Sequence, residues 1–379
     1  MAITVYSKRF KRELDKVQLE RLYSESHLYE KEDFRSFVYT DAECPVCNVS
    51  GAYFVSEGFS TKTKKMVRQA HFAFRKSNGE DAHKVFCDHY KGSDRIKDSA
   101  GEAFTNLNRK DNSDVTKAVR ELVCRGIENN MFSQEDIRNM RQWFTELRES
   151  GTQLIDYSPH IVNLVRAAIY YRSDNQGYVF DINKKDEQWF NIDEEVYKSL
   201  SYKYPSVLID LFYENNKNFL RAIQGSTITK QAHRLIRKDN GQHVYDRRLL
   251  NDKYNDALDL ALYIARRHEN LTRKFSRKND LKKASQLLAV AALLLFISEW
   301  DMNTAIEKFQ KLVEAGQSIS PDAGNVIGMN PFIHYDAWEV VHTIKDLMSS
   351  LPDFTNVDTE FLAEKKRLIN LFGLNEETE

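Results

Sequence analysis

Hydrophobic residues recur at helical spacing along most of the chain beyond residue 112. Val115, Val119 and Val123 fall on one face of a helix that Ser113 would cap, and this pattern continues to about residue 129. Further helices are predicted at 158–172, 193–202, 206–223, 227–238, 247–274, 280–299, 302–315, 335–350 and 358–371. Because no unit of roughly 30 to 45 residues repeats, we expect an irregular helical arrangement and not a solenoid.

A second helix is predicted directly after the first. Ser133 and Asp136 have the spacing of a capping box, and they precede an apolar stripe that includes Ile137 and Phe144. The joint at 130–132 is short, so the two helices are expected to be neighbours. Such a pair forms either a plain helical hairpin, which is the commoner arrangement, or a DNA-reading unit.

The first 90 residues have a different pattern. Charged residues and a loose apolar stripe predict one helix over 8–31, whereas 36–40, 52–55 and 67–74 are rich in β-forming residues and are separated by glycines and polar turns. Strands this short and few bury little apolar surface. We therefore expect a bound metal to hold them together in place of a large core.

These patterns predict a mostly α protein, in which a small, zinc-stapled, β-rich N-terminal module precedes an irregular multi-helix body. The predicted divisions are an N-terminal helix at 1–35, a zinc-binding module with its linker at 36–111, a helical domain at 112–225 and a second helical domain at 226–379. The longest apolar run, 287–297, is shorter than the roughly 20 residues that cross a bilayer, so it predicts a buried helix and no membrane partner.

Composition narrows the class of protein. With 379 residues, of which 41% are hydrophobic and 29% charged, the chain can bury a large core and does not have the composition of a disordered protein. The formal net charge of −1 indicates no particular partner. Four cysteines are too few for a disulfide scaffold, and no apolar signal segment follows the basic residues near the N-terminus, so we expect a reducing, cytoplasmic setting.

Cysteine and histidine are concentrated between residues 44 and 89. Cys44 and Cys47 form a Cys-x-x-Cys turn, which presents two thiolates to one side of a zinc ion. The predicted Zn²⁺ ligands are Cys44, Cys47, His71, Cys87 and His89, with His83 in reserve, and which of the last residues completes the site is open. The alternatives are a reduced, buried cysteine pair and a redox pair. The redox pair is disfavoured because a turn, and not a helix, is predicted after Cys47.

The same stretch resembles a known family. Cys44-Pro45-Val46-Cys47, an apolar strand, a polar turn and then His71-Phe72-Ala73 are similar to the N-terminal zinc-binding segment of competence CoiA-like proteins. The resemblance covers residues 44–89 and implies a zinc site. Phe74 stands where that family has its second histidine, so Cys87 or His89 would have to replace that ligand. Nothing in this sequence matches the family's nuclease domain.

Positive charge is concentrated between residues 230 and 283. This segment contains fifteen Lys or Arg and seven Asp or Glu, which gives a net charge of +8. Such a segment predicts contacts with a phosphate backbone. The candidate nucleic-acid-binding residues are Lys230, Arg234, Arg237, Arg266, Arg267, Arg273, Lys274, Arg277 and Lys278. The competing interpretation is a solvated helical face, since cations are also favoured near helix C-termini. A second basic stretch, 8–12, lies near the predicted metal site.

The leading hypothesis is a non-catalytic prokaryotic or phage-related protein, in phage defence or mobile-DNA biology, that binds DNA, RNA or a protein–nucleic acid complex. A first alternative is a metal-dependent nuclease, because Asp88-His89, Gly101 and Asn106-Leu107 resemble the residue order of HNH nucleases, with His89 and Asn106 as the active groups. A second alternative is a helical protein–protein adaptor. Its surfaces would be supplied by Trp143, Trp189, Trp300 and Trp338.

Overall fold

The computed structural model describes most of the chain, with gaps. The described residues are 4–60, 66–84, 86–87, 89–90, 114–155, 157–171, 177–203, 217–238, 243–268, 271, 275, 277–281, 285–316, 330–332, 334–347 and 356–374.

Helices dominate the described chain. They are α1 (Lys16–Glu25), α2 (Phe34–Asp41), α3 (Asp114–Glu128), α4 (Gln134–Ser150), α5 (His160–Tyr170), α6 (Ile192–Ser201), α7 (Lys217–Gln224), α8 (Ser226–Lys238), α9 (Arg248–Arg267), α10 (Lys278–Leu281), α11 (Ser285–Phe296), α12 (Met302–Glu314), α13 (Tyr335–Leu347) and α14 (Val357–Phe372). Short 3-10 helices lie at Leu28–Glu30 and Ile182–Asp186. The prediction of a mostly α protein is confirmed.

The strands are short, and most of them lie near the N-terminus. They are β1 (Thr4–Ser7), β2 (Arg12–Asp15), β3 (Ala42–Glu43), β4 (Ala52–Val55), β5 (Gly58–Phe59), β6 (Met66–Arg68), β7 (His71–Phe74), β8 (Thr152–Leu154) and β9 (His243–Tyr245). The sheet orders are β2-β1-β3, β4-β7, β5-β6 and β8-β9, and the strands pair antiparallel. The β-rich N-terminal part is therefore confirmed as well.

Two compact units are present, and each combines two separate stretches of sequence. The first contains Met1–Ser150 and Arg248–Ile333, and the second contains Gly151–Arg247 and His334–Glu379. Residues 226–379, expected as one helical domain, contribute to both units. Long-range packing decides which helices share a core, and a single sequence read from end to end does not contain that information directly.

The start of the chain is a β-hairpin and not part of the helix predicted at 8–31. β1 and β2 pair from Thr4 opposite Asp15 to Ser7 opposite Arg12. The carboxylate of Asp41, 7% exposed, fixes the tip of the hairpin by accepting hydrogen bonds from the Ser7 hydroxyl and from the Arg9 N–H, the latter at 2.7 Å. The helix begins only at Lys16, and a contact 34 residues away along the chain stabilises the extended form before it.

The β-type stretch at 36–40 is helical, so that prediction was wrong. Asp33 caps α2 by accepting hydrogen bonds from the N–H groups of Arg35 (2.9 Å) and Ser36 (3.2 Å). Phe37 and Val38 on this helix are buried. The cap and the burial outweigh the strand preference of aromatic and β-branched residues.

The N-terminal module, residues 4–90, contains its own apolar core. Aromatic and aliphatic side chains from the hairpin, α1, α2, β4 and β7 surround the cysteines. The buried members are Val5, Leu14, Leu19, Tyr23, Leu28, Phe37, Val38, Ala42, Cys44, Val46, Cys47, Ala52, Phe72, Phe74 and Cys87. The expectation that metal replaces an apolar core was therefore wrong: the cysteines lie within such a core.

The helical part of the first unit is built around α11. Leu287 and Leu295, at the two ends of its apolar run, are fully buried, and the helix contacts α3, α9 and α12. The predicted buried helix is confirmed. The predicted capping box also forms, because the Ser133 N–H donates to the Asp136 carboxylate (2.7 Å) and the Asp136 N–H donates to the Ser133 hydroxyl (3.1 Å).

The second unit packs α5 and α6 against α14, and α8 against α13. Its small β8-β9 pair joins Thr152 to Tyr245, and the Tyr245 ring is fully buried. Among the described residues of either unit, no helix combines the length and the apolar character that crossing a bilayer requires.

Candidate metal centre

The first half of the site is a tight turn that follows β3. Cys44 accepts at its carbonyl from the Asn48 N–H (3.1 Å), and the Cys44 N–H donates to the Val49 carbonyl (2.8 Å). Asn48 adopts a left-handed conformation with φ of 60°, which Asn tolerates better than most residues. The turn directs the sulfurs of Cys44 and Cys47 into the module.

The second half comes from the chain after β7, which turns back on itself. The Lys76 N–H donates to the Glu80 carbonyl (2.9 Å), and Gly79 in this turn has a φ of 84°. The returning chain carries His83 and Cys87, and the Cys87 N–H donates to the Lys84 carbonyl (3.0 Å). Because the chain reverses direction here, His83 and Cys87 lie beside the Cys44–Cys47 turn, which is some 40 residues earlier in the sequence.

Four buried side chains converge where the two halves meet. The ligand atoms of Cys44, Cys47, His83 and Cys87 all lie within 4.8 Å of one another. The Cys44 and Cys87 sulfurs are 3.8 Å apart, and His83 Nδ1 lies 3.4 Å from the Cys47 sulfur and 3.6 Å from the Cys87 sulfur. None of these cysteines forms a disulfide.

These distances fit the edges of a zinc tetrahedron. With Zn–S bonds of about 2.3 Å and Zn–N bonds of about 2.0 to 2.1 Å, tetrahedral angles give S–S edges of about 3.8 Å and S–N edges of about 3.5 Å. Three of the six edges (Cys44–Cys87, Cys47–His83 and Cys87–His83) differ from these values by no more than about 0.1 Å, and the other three are within 4.8 Å. The donor set of three sulfurs and one imidazole nitrogen is also one that zinc uses in structural sites.

The surroundings of the sulfurs favour a bound cation. The Val46 N–H points at the Cys44 sulfur and the His89 N–H points at the Cys87 sulfur, each at 3.4 Å. Burial raises the pKa of the Cys44 and Cys87 thiols, whereas hydrogen bonds from those two thiols lower the pKa of Cys47. In this apolar setting, a dication would stabilise all three sulfurs as thiolates and would offset two of their three negative charges.

Two of the predicted ligands lie outside this group. β7 pairs Ala73 with the exposed Tyr53, and His71 is on the same strand face as Ala73, opposite to the buried Phe72 and Phe74. His71 Nδ1 lies 3.0 Å from the Gln69 carbonyl oxygen. His71 is itself buried (8% exposed), but the strand period places it on the face opposite to Phe72 and Phe74, which pack with the cysteines.

His89 is buried, and burial lowers its pKa well below the usual range. Its ring centroid is 5.5 Å from that of His83, but it is not one of the four converging groups. His83, the reserve ligand, occupies the position expected for His71 or His89. Phe74, at the position of the second histidine in CoiA-like proteins, packs its ring edge-on against His83 at 5.0 Å.

Helix α4 provides a polar contact surface for the Cys44–Cys47 turn. Arg138 Nε donates to the Asn48 side-chain oxygen (3.0 Å), and the Asn48 amide donates to Gln142 (2.8 Å). The Arg138 guanidinium also pairs with Glu43 and lies 3.9 Å from the ring centroid of Tyr6. Asn48 thus connects the Cys44–Cys47 turn to the helical body of the same unit.

Two further arginines on the same face of α4 are almost completely buried. Arg141 Nη1 donates to Glu13 of β2 at 2.6 Å, and these side chains are 4% and 3% exposed. Arg148 donates to the Phe86 carbonyl, one residue before Cys87, at 3.3 Å. Residues 138, 141 and 148 fall on one helical face. In the sequence these arginines look like part of an ordinary charged helix surface. Their spacing, which places them on one face, is the only sequence signal that sets them apart.

The candidate nucleic-acid-binding residues divide between the two units. Lys230 in the second unit is exposed, as are Arg266, Arg267 and Arg277 in the first. The Arg267 guanidinium lies 3.6 Å from the ring centroid of Tyr263. Lys278 pairs with Asp259. Arg234 is half-buried, whereas Arg273, Lys274 and the side chain of Arg237 lie outside what the structure describes.

The residues assigned to the nuclease alternative lie largely outside the described chain, whereas the tryptophans of the adaptor alternative are described and differ in exposure. Asn106, Asp88 and Gly101, needed for the nuclease interpretation, lie outside the described residues. Of the tryptophans assigned to an adaptor surface, Trp189 is 85% exposed and Trp338 is buried. Trp143 and Trp300 are half-buried and pack against each other with ring centroids 5.8 Å apart.

No family model matches this sequence, and no curated protein or solved structure matches it either. The function is therefore inferred from the geometry of the site.

Proposed function

We propose that Cys44, Cys47, His83 and Cys87 hold a structural Zn²⁺ ion. The observation that supports this proposal most directly is that four buried ligand atoms lie within 4.8 Å of one another and that three of their six distances match the edges of a zinc tetrahedron. Four protein ligands fill the coordination sphere, and all four are buried. A site without an open position for water or substrate is typical of structural zinc and not of catalytic zinc.

Zinc content tests this proposal. We expect purified wild-type protein to carry about one zinc per chain and Cys47→Ser to carry much less, because loss of one thiolate weakens a closed four-ligand site. Cys124→Ala is the matched control, because Cys124 is fully buried but belongs to α3 and not to the cluster. Elemental analysis by mass spectrometry measures the content.

The choice of histidine is tested with the same assay. His83→Ala should lower zinc affinity at least tenfold, and His71→Ala should leave it unchanged. Competition with a chromophoric chelator gives the affinities. Zinc that is lost from His71→Ala and retained by His83→Ala would contradict the ligand set.

We further propose that this zinc-stabilised protein binds nucleic acid. The support is the exposure of several cations in the net-positive segment 230–283, among them Lys230, Arg266 and Arg267. The Arg267 guanidinium lies 3.6 Å from the ring centroid of Tyr263, and the planar set of N–H donors of an arginine suits phosphate. Lys278 is expected to contribute less, since Asp259 offsets its charge.

The salt dependence of binding tests this second proposal. Replacing Arg266 and Arg267 together with alanine should weaken binding to DNA or RNA and reduce the slope of log Kobs against log salt by about 0.9 for each phosphate that the variant no longer neutralises. Lys278→Ala is the control and should change the slope little. Absence of any mobility shift at low salt, with duplex and single-stranded probes alike, would contradict nucleic-acid binding.

A further inference from the structure

An exposed tyrosine pair lies on the outer surface of the N-terminal module. Tyr39 of α2 and Tyr53 of β4 are 50% and 48% exposed, and their ring centroids are 5.4 Å apart with an interplanar angle of 58°. The Tyr39 ring lies against Gly51, where a Cβ would approach to 3.5 Å. Each ring thus keeps about half of its surface in water while the backbone beneath it is held in place.

Basic residues lie on the same helix face and the same sheet face as the two tyrosines. Arg35 is exposed and precedes Tyr39 by four residues in α2, so the two share a helix face. Tyr53 pairs with Ala73, and the exposed Arg75, two residues further, continues that sheet face. One arginine therefore lies on the helix face of Tyr39 and the other on the sheet face of Tyr53.

A third cation, Lys8 at the tip of the hairpin, is connected through Glu43 to the chain segment beneath the Tyr39 ring. Lys8 Nζ lies 3.9 Å from Glu43 Oε1, the oxygen that also accepts the Ser50 hydroxyl hydrogen bond at 3.1 Å. Ser50 directly precedes Gly51, on which the Tyr39 ring rests. Glu43 is itself paired with Arg138, so its charge is shared between two cations.

The acidic side chains near this surface accept hydrogen bonds within the module, including Asp81, which lies opposite Arg75 and accepts from the His83 N–H at 2.9 Å. Asp41 accepts hydrogen bonds from Ser7 and from the Arg9 N–H, and Asp33 caps α2. Exposed aromatic rings surrounded by cations match a chain of stacked bases joined by phosphates. A base inside a duplex has no free face to offer, whereas every unpaired base does. The combination therefore favours a single strand over a duplex.

We infer that Tyr39 and Tyr53, with Arg35, Arg75 and Lys8 around them, form a binding surface for single-stranded nucleic acid. The bases stack on the two rings, and the cations contact the phosphates. This inference rests on the proposed nucleic-acid binding and adds a contact surface on the zinc module, apart from the basic segment at 230–283.

Fluorescence anisotropy with a labelled oligothymidylate of about 20 nucleotides tests the surface in the full-length, zinc-loaded protein. We expect Tyr39→Ala and Tyr53→Ala each to raise Kd roughly tenfold, the size of effect found for loss of one base-stacking ring. Tyr39→Phe should stay within about twofold of wild type, because the ring is kept. Tyr29→Ala is the matched control, since Tyr29 is a 56% exposed tyrosine elsewhere on the module.

Two results would overturn the inference, and they are distinguishable. If the Tyr39→Ala/Tyr53→Ala variant binds the oligonucleotide as tightly as wild type while the Arg266/Arg267 variant binds weakly, the surface is excluded and nucleic-acid binding stands. If wild-type protein binds neither the oligonucleotide nor a duplex, both proposals fail, and the surface would then fit an acidic peptide. Zinc content and melting temperature equal to wild type verify that each variant is folded.

Discussion

Removing the metal with a strong chelator is expected to unfold the two ligand-bearing turns of the N-terminal module and to lower its stability by several kcal/mol. Structural zinc contributes roughly 10 to 16 kcal/mol of apparent binding free energy in isolated zinc fingers. Here part of the order comes from the apolar core around the cysteines, so the loss should be smaller. The turns are expected to unfold because, without the ion, nothing would hold together the three sulfurs and the imidazole that lie within 4.8 Å of one another in this buried site.

Hydrogen exchange measures this effect locally. Amide protection should fall in peptides that cover Cys44–Val49 and His83–Tyr90, and it should fall in α4 as well, because Asn48 loses the geometry that contacts Arg138 and Gln142. Added zinc should restore protection in wild type and in Cys124→Ala, but not in Cys47→Ser. Full protection of both turns in chelated protein would show that the apolar core alone orders them.

Arg141→Met is expected to lower the free energy of unfolding by about 3 to 5 kcal/mol, the range measured when one partner of a buried ion pair is removed. Glu13 would keep its negative charge in a site where its side chain is 3% exposed. The Thr4 hydroxyl, which donates to Glu13 at 2.5 Å, cannot replace a cation. Urea denaturation followed by circular dichroism gives the difference.

A second substitution separates the cost of an orphaned charge from the cost of poorer packing. The Glu13→Leu/Arg141→Met variant should recover most of the loss, because no charge is then left buried without a partner. Arg21→Met serves as a control: Arg21 and Glu25 form a pair that is more than 60% exposed on both sides, and its removal should have little measurable effect. Equal losses in the single and the double variant would mean that packing and not charge accounts for the effect.

The site could be predicted from the sequence only in part. The Cys44–Cys47 spacing defines a turn by local geometry alone, so half of a metal site follows from four consecutive residues. The other half depends on where the chain after β7 reverses. Gly79 marks a turn, but the sequence does not state how far back the chain returns. Cys87 and His89 were therefore predicted with His83 only in reserve, and which of them completes the site remained open.

The exclusion of His71 required the register of a strand pair. A shift of one residue between β4 and β7 would turn His71 towards the cysteines and Phe72 away from them. The observed register pairs Val55 with His71, and hydrophobic burial of Phe72 and Phe74 favours it. Side chains distant in sequence decide that register.

The sequence by itself determined the elements whose stabilisation is local or periodic. These are the buried helix α11, the capping box at Ser133, most of the helices after residue 113 and the cysteine turn. The tertiary structure decided the hairpin at the N-terminus, the helical state of 36–40, which histidine lies beside the three cysteines, and the grouping of helices into two units. The physical reason is that each of these depends on a contact such as Ser7 with Asp41 or Arg141 with Glu13, between residues that are far apart along the chain and have no shared local pattern.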